Sequence, residues 1–298
     1  MDIPLDLART LAVVVDEGTL DAAARRLHIT PSAVSQRVRA LEDRLGRVLL
    51  VRSKPVRPTN AGEAVVRLAR QLALIEHDAV VEIGADEGVG TAVVPLAVNA
   101  DSLATWFLPP LARLAERRRV SFELHRDDQD FTAGLLESGT VMGAVTSRAM
   151  PVAGCRVSPL GVLRYEAVAS ASFAERWFTQ GAVPDELAVA PVVDFDRRDD
   201  LQSQWLATRG VDPAAPPRHL VPASSDFATA VRLGLGWGLL PGFQSREHLA
   251  SGALVALTGS PIDVPLYWQQ WNLTSPLLDE IAAEITVEGR RVLTPLRS

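Results

Sequence analysis

The chain of 298 residues holds a single cysteine, Cys155. No disulfide can form within it, which excludes a stapled secreted scaffold and a redox device that pairs two thiols of one chain. Cys155 itself reads as a small buried hydrophobe. Histidine is almost as scarce: His28, His77, His125, His219 and His248 are scattered, with no metal-ligand spacing. No phosphate-cradling glycine-lysine loop occurs. Gly234-Leu235-Gly236-Trp237-Gly238 looks like a dinucleotide fingerprint, but it follows a helical run and enters a strand. A pyrophosphate needs the opposite order, so this segment is expected to be a tight helix-to-strand turn. No cofactor, no metal and no enzyme activity are expected. No apolar run reaches the roughly 18 residues of a membrane span, and no signal pattern stands at the N-terminus. The expectation is a soluble, cytoplasmic protein without membrane contact. Internal repeats and low-complexity tracts are missing as well.

Hydrophobic residues make up 47% of the chain, enough for substantial cores, and the length suits two or three domains. The formal net charge of −6 hides a division. Between Ala22 and Arg70 stand eleven basic and three acidic residues, an excess of eight, which leaves the remainder of the chain at −14. A basic head on an acidic body is the electrostatic footprint of a protein whose head touches phosphates.

The basic region is organised around Ala22 to Gly46. Asp6 is expected to cap a first helix with Leu7, Leu11, Val14 and Val15 on its inner face, and Thr19 a second with Leu20, Ala23, Ala24 and Leu27. After the turn His28-Ile29-Thr30, Thr30 serves as N-cap and Pro31 as first helical residue. Val34, Val38, Leu41 and Leu45 then mark one buried face, which leaves Ser32, Ser35, Gln36, Arg37 and Arg39 for base edges and phosphates in a DNA major groove. Val48 to Arg52 and Val56 to Pro58 read as two short strands about a Ser53-Lys54-Pro55 turn. They form a wing whose Arg52, Lys54 and Arg57 are placed for the backbone. Thr59 caps a long helix reaching about Ile83. Its Ala61, Val65, Leu68, Leu72, Ile75 and Ala79 alternate steps of four and three, the seam of a coiled coil. Val65, Leu68, Leu72 and Ile75 are therefore the expected dimerisation residues.

Gly84 to Thr91 is a polar, glycine-rich hinge. Beyond it, strands alternate with helices in the manner of an α/β fold: strand Val93 to Val98, helix Leu103 to Glu116, strand Val120 to His125, helix Phe131 to Glu137 and strand Val141 to Thr146. Strand-like runs follow at Arg164 to Ala169, Val189 to Phe195, His219 to Pro222, Gly236 to Leu240 and Val264 to Trp271, with helical runs Asp199 to Thr208 and Phe227 to Leu233 between them. Ligands of open α/β folds collect at the carboxyl ends of strands, which singles out Asn99, Asp101 and Ser102. Ser102 is positioned to hold a carboxylate. Asp127, Asp128, Asp130, Asp194, Asp196 and Asp226 sit where strands hand over to helices and offer partners for a cationic ligand. Thr146, Ser224 and Ser225 are similarly placed, and Trp106 follows in the same segment as Ser102. For each of these, helix capping or a solvated surface is the alternative.

The ordered set Ala22-Ala23-Ala24, Leu27, Thr30 to Ser35, Leu41-Glu42, Leu45-Gly46, Leu49-Leu50, Arg52 and Pro58-Thr59-Ala61-Gly62 resembles the DNA-binding domain of LysR-type transcriptional regulators. The resemblance implies a winged helix-turn-helix at 1–58, a linker helix and hinge at 59–90 that joins heads into dimers, and an effector domain at 91–298. That domain would be a two-lobed α/β unit like the periplasmic solute-binding proteins, with lobe 1 at about 91–163 and 267–298 and lobe 2 at about 164–266. Crossovers would fall near Leu160 to Arg164 and Val264 to Trp268. Asn99 to Leu111, Met142 to Ser147, Val192 to Gln202 and Asp263 to Trp271 are similar to the branch that senses lysine or arginine and controls a basic-amino-acid exporter gene. The partners implied are double-stranded DNA with two half-sites, lysine or arginine as effector, and a second copy in a homodimer or homotetramer. RNA polymerase stays open as a further partner. A regulator with a different small effector, or an architectural DNA-binding protein that ignores ligands, stays open beside this reading.

Overall fold

The computed structural model describes residues 2–51, 53–84, 90–126 and 132–296. Its head is built from α1 (Leu5–Glu17), α2 (Leu20–Arg26) and α3 (Pro31–Leu45), followed by the antiparallel wing β1 (Leu50–Val51) and β2 (Arg57–Pro58). Leu11, Val14, Val34, Leu41 and Leu49 are fully buried between them. The caps of α2 and α3 are those expected: the Thr19 hydroxyl accepts from Ala22 N–H at 3.2 Å and the Thr30 hydroxyl from Ala33 N–H at 3.2 Å. Asp6 is not the cap of α1. Pro4 occupies that position without a side-chain bond, and Asp6 sits inside the first turn, where its charge still suits the helix dipole.

Thr59 caps α4 (Asn60–Glu82), a rod of 23 residues and about 34 Å. The single seam expected along it is shared out among different neighbours. Val65, Val66 and Ala69 are buried in the head's own core, so Val65 is removed from the dimerisation set. Leu74 is buried in the core of the following domain, while Arg67 and Arg70 donate to the carbonyls of Glu137 and Gly139 at 2.6 Å each. Leu68 and Leu72 stay half-buried, and Ile75 and Ala79 are exposed. Heptad spacing cannot reveal this, because a helix flanked by two domains has apolar residues facing each of them.

The remainder is β3 (Ala92–Val98), α5 (Ala100–Thr105), α6 (Leu108–Arg117), β4 (Val120–Arg126), α7 (Thr132–Glu137), β5 (Gly143–Thr146), β6 (Cys155–Ser170), α8 (Ala171–Trp177), α9 (Pro184–Leu187), β7 (Val192–Asp194), α10 (Leu201–Thr208), β8 (Arg218–Leu220), α11 (Ser224–Arg232), β9 (Gly238–Pro241), α12 (Gly242–Ala250), β10 (Leu254–Ala256), β11 (Ile262–Trp271) and α13 (Pro276–Val292). One sheet runs β10-β6-β11-β5-β3-β4 with β9 also on β6, and β7 and β8 form a separate parallel pair. The long antiparallel strands β6 and β11 run through both lobes. β11 pairs with β5 at the first-lobe end, and β6 pairs with β9 and β10 at the second-lobe end. Their register shifts between Leu266 and Tyr267, inside the segments proposed as crossovers.

Besides α8, α9, α12 and β10, which the sequence reading does not contain, three features of the body differ from it. The strand expected from Arg164 begins at Cys155. The helix expected from Leu103 to Glu116 is broken in two at Trp106 and Phe107, which turn into the core ahead of Pro109 and Pro110. Finally, α13 went unread although Ser275 caps it and Pro276 opens it; Leu277, Leu278, Ile281 and Ile285 are buried beneath. Its acidic stripe Glu280, Glu284 and Glu288 pairs with Arg118, Arg117 and Arg113 around α6. The helix-to-strand turn after α11 is as expected, and its tightness is steric: a Cβ on Gly236 would lie 2.8 Å from the Pro191 carbonyl oxygen.

Candidate functional site

The residues expected to meet DNA lie on the outer surface of the head. Thr30, Pro31, Ser32, Gln36 and Arg39 are exposed, and Ser35 is half-buried. Arg37 is half-buried too, and its guanidinium turns back to α1, donating to Thr10 Oγ1 at 3.4 Å. That contact makes Arg37 a brace between α1 and α3. Lys54 and Arg57 are exposed on the wing; Arg52 lies outside the described residues.

The second site is a cleft of about 190 Å³ where the two lobes face each other. Its first-lobe wall is Asn99, Ala100 and Asp101, from the end of β3 and the start of α5, with Arg126 at the end of β4. Tyr165 reaches it from the crossing strand β6. The second-lobe wall is Phe195, Asp196, Arg198, Asp199 and Gln202 ahead of and on α10, completed by Pro222, Phe227, Pro241 and Gln244.

Asp101 ties the walls together. The Tyr165 hydroxyl donates to Asp101 Oδ2 at 2.6 Å, and the Ser224 hydroxyl donates to Oδ1 at 2.6 Å. Gln244 Nε2 donates to Ser224 Oγ at 2.8 Å and extends the chain. Asp199 accepts from the N–H of Phe195 at 2.9 Å and of Leu201 at 3.2 Å. Burial pushes its carboxyl up to about 6; the two amides resist, while Asp194 and Asp101 add repulsion. Burial also raises Asp194, against the opposing effect of its partner Arg218. At Asp196 burial works the same way but loses: the N–H and guanidinium of Arg198 hold the carboxyl below its ordinary range. Several buried polar atoms here have no partner among the described residues: Asn99 Oδ1, Ser102 Oγ, Gln202 Oε1 and Asp194 Oδ1.

Of the residues singled out in the sequence, Asn99, Asp101 and Asp196 stand in the wall, while Ser102 and Asp194 lie buried off it. Trp106 is a core residue, 2% exposed and edge-on to Phe107 at 5.8 Å. Thr146 is buried away from the cleft wall, where its hydroxyl accepts from Arg148 N–H at 3.1 Å. Ser225 and Asp226 are exposed on α11 off the wall, whereas Ser224, singled out together with Ser225, faces Asp101. Strand-end position alone cannot say which side of a helix start faces a neighbouring lobe, since one residue turns it by about 100°. Asp128 lies outside the described residues. Tyr165, Asp199, Gln202 and Gln244 were not singled out. Nothing local distinguishes Asp199 from Asp200 beside it.

Residues 5–63 match the bacterial regulatory helix-turn-helix protein, lysR family, and residues 88–285 match the LysR substrate binding domain. The HTH-type transcriptional regulator LysG of Mycobacterium tuberculosis is 44% identical over 91% of this chain and 88% of its own. The lysine export transcriptional regulatory protein LysG of Corynebacterium efficiens is 42% identical over 94% of this chain and 96% of its own. Among solved structures, full-length LysG from Corynebacterium glutamicum with bound effector Arg superposes with a TM-score of 0.78 at 37% identity, covering 98% of this chain and 100% of that one. With a winged helix-turn-helix at one end and a two-lobed α/β domain at the other, the chain belongs to the LysR family of transcriptional regulators.

Proposed function

We propose that this regulator takes lysine or arginine in the interlobe cleft and, in response, controls a gene for export of a basic amino acid. The observation that carries the reading is the cleft itself, with carboxylates of Asp101 and Asp199 contributed by opposite lobes. The likeness to the arginine-bound LysG supports it. Arg126 supplies the end that meets the ligand's carboxylate. Binding across both lobes favours one relative placement of them and shifts the population of head arrangements.

On DNA, Ser32, Ser35, Gln36 and Arg39 enter the major groove, Arg37 braces their helix against α1, and Arg52, Lys54 and Arg57 hold the backbone. Two heads read two half-sites, joined through the open side of α4 at Leu68, Leu72 and Ile75. Dimer or tetramer assembly and contact with RNA polymerase belong to the same proposal, as do the domain limits 1–58, 59–90 and 91–298.

Calorimetry with arginine, lysine, norleucine and glutamate tests the effector. The two cations should bind and the other two should not, because a neutral chain end would leave buried carboxylates unpaired. Equal binding of lysine and norleucine, or no binding at all, rejects the effector and leaves the family assignment in place.

A further inference from the structure

Asp101 and Asp199 line the same cleft from opposite lobes, and each carboxylate already accepts two hydrogen bonds from the protein. None of those four donors is a cation. Close by, Asn99 and Gln202 line the cleft at 3% and 1% exposure, and the amide oxygen of each finds no donor among the described residues. Gln202 is held in place by its other end, Nε2 donating to the Val193 carbonyl at 3.0 Å. Two carboxylates whose described hydrogen-bond donors are all neutral, and two amide oxygens without a donor among the described residues, thus line one space. A guanidinium carries five N–H donors and an ammonium three, so either fits this set where an apolar or anionic group does not.

We propose that the cationic end of the ligand is held between Asp101 of the first lobe and Asp199 of the second, with Asn99 and Gln202 as the flanking acceptors. The inference rests on the reading of the cleft as a basic amino-acid site and names which residues perceive the positive charge. It has a consequence for protons. The charged groups around Asp199 are Asp101, Asp194 and Asp196 on the acidic side, and Arg198, Arg126 and the Asp194 partner Arg218 on the basic side. Burial and the neighbouring aspartates make Asp199 reluctant to ionise, with its carboxyl pushed up to about 6. A bound cation reverses that preference, so binding below this pH expels a proton from Asp199. Binding therefore strengthens as pH rises through about 6 and levels off above it.

The test uses the full chain, titrated calorimetrically with arginine and with lysine from pH 7.5 to 5.0, in two buffers of different ionisation enthalpy to count protons released. Wild-type affinity should fall about tenfold across that range, with release of close to one proton near the lower end. Asp199→Asn should weaken both ligands on the order of 30-fold at pH 7.5 and flatten the pH profile. Asn99→Ala removes a cleft acceptor but no capping bond, since Asn99 makes none; it should weaken binding about fivefold with the pH profile intact. Near-wild-type affinity of the Asp199→Asn protein, or a pH profile that survives in it, overturns the inference while the cleft remains a basic amino-acid site. If the wild type binds neither ligand, the reading of the cleft falls and this inference with it.

Discussion

The head and the effector body treat buried polarity in opposite ways. In the head, threonine hydroxyls cap α2, α3 and α4, and Glu42 Oε1 accepts from Leu49 N–H at 2.8 Å to fasten the wing. Every buried side-chain polar atom that lacks a partner among the described residues lies beyond residue 90, from Asn99 to Trp271. An unsatisfied buried group costs about 1–3 kcal/mol; of these atoms, Asn99 Oδ1 and Gln202 Oε1 belong to residues lining the cleft, whereas the indole nitrogens of Trp106, Trp237 and Trp271 lie off it. The head acts through an exposed surface and can close its interior completely. The body acts through an interior cleft, and the groups that would recognise a ligand must be left without partners of their own.

The largest test of this contrast is a core truncation in the closed domain. Leu11 is fully buried in one core with Val14, Val34 and Leu41. Leu11→Ala should cost about 2–5 kcal/mol and lower the head's melting transition, while arginine binding by the body stays unchanged at temperatures where both are folded. Loss of arginine binding in that variant would show that the two domains do not separate as described.

Next in size is the open side of α4. Replacing Leu68 and Leu72 with Lys should dissociate the dimer in sedimentation and lower operator affinity, because charges would be buried without partners at the seam. By contrast, Val65→Ala should lower the stability of the head by about 1–3 kcal/mol through lost packing, without dissociating the dimer. The opposite pattern would return Val65 to the seam.

On the DNA surface, Gln36→Ala should lose about 1–3 kcal/mol of discrimination between operator and scrambled DNA in band shifts, with an unchanged melt. Arg37→Ala should instead lower the melt, since it removes the bond to Thr10 on α1. Identical behaviour of the two would remove the distinction between reader and brace. The smallest effect is expected at Glu284→Ala on α13, where partly exposed pairs with Arg113 and Arg117 are worth about 1 kcal/mol or less.

These residues also show how far a sequence reading carries. Thr19, Thr30 and Thr59 were legible as caps because capping is decided within four residues of chain. The inner faces of α1 and α3 were legible because one core covers them. The α4 seam is legible only in part, since the head core and the core of the following domain each take some of its apolar positions. In the cleft, Asn99 and Asp101 could be placed from the end of β3, whereas Ser225 and Asp226 lost their place to Ser224 by a rotation that spacing does not encode.

From the sequence alone came the family, the basic head, the head's helices and the first strands of the body, and the strand end at which Asn99 and Asp101 stand. Each is set by local propensity, charge or a run of ordered motif residues. Only the tertiary structure could bring Asp101, Tyr165, Ser224 and Gln244 into one hydrogen-bonded chain and set Asp199 opposite them. They come from five separated segments, and what joins them is the crossing of β6 and β11 between lobes, a long-range pairing that no local pattern reports.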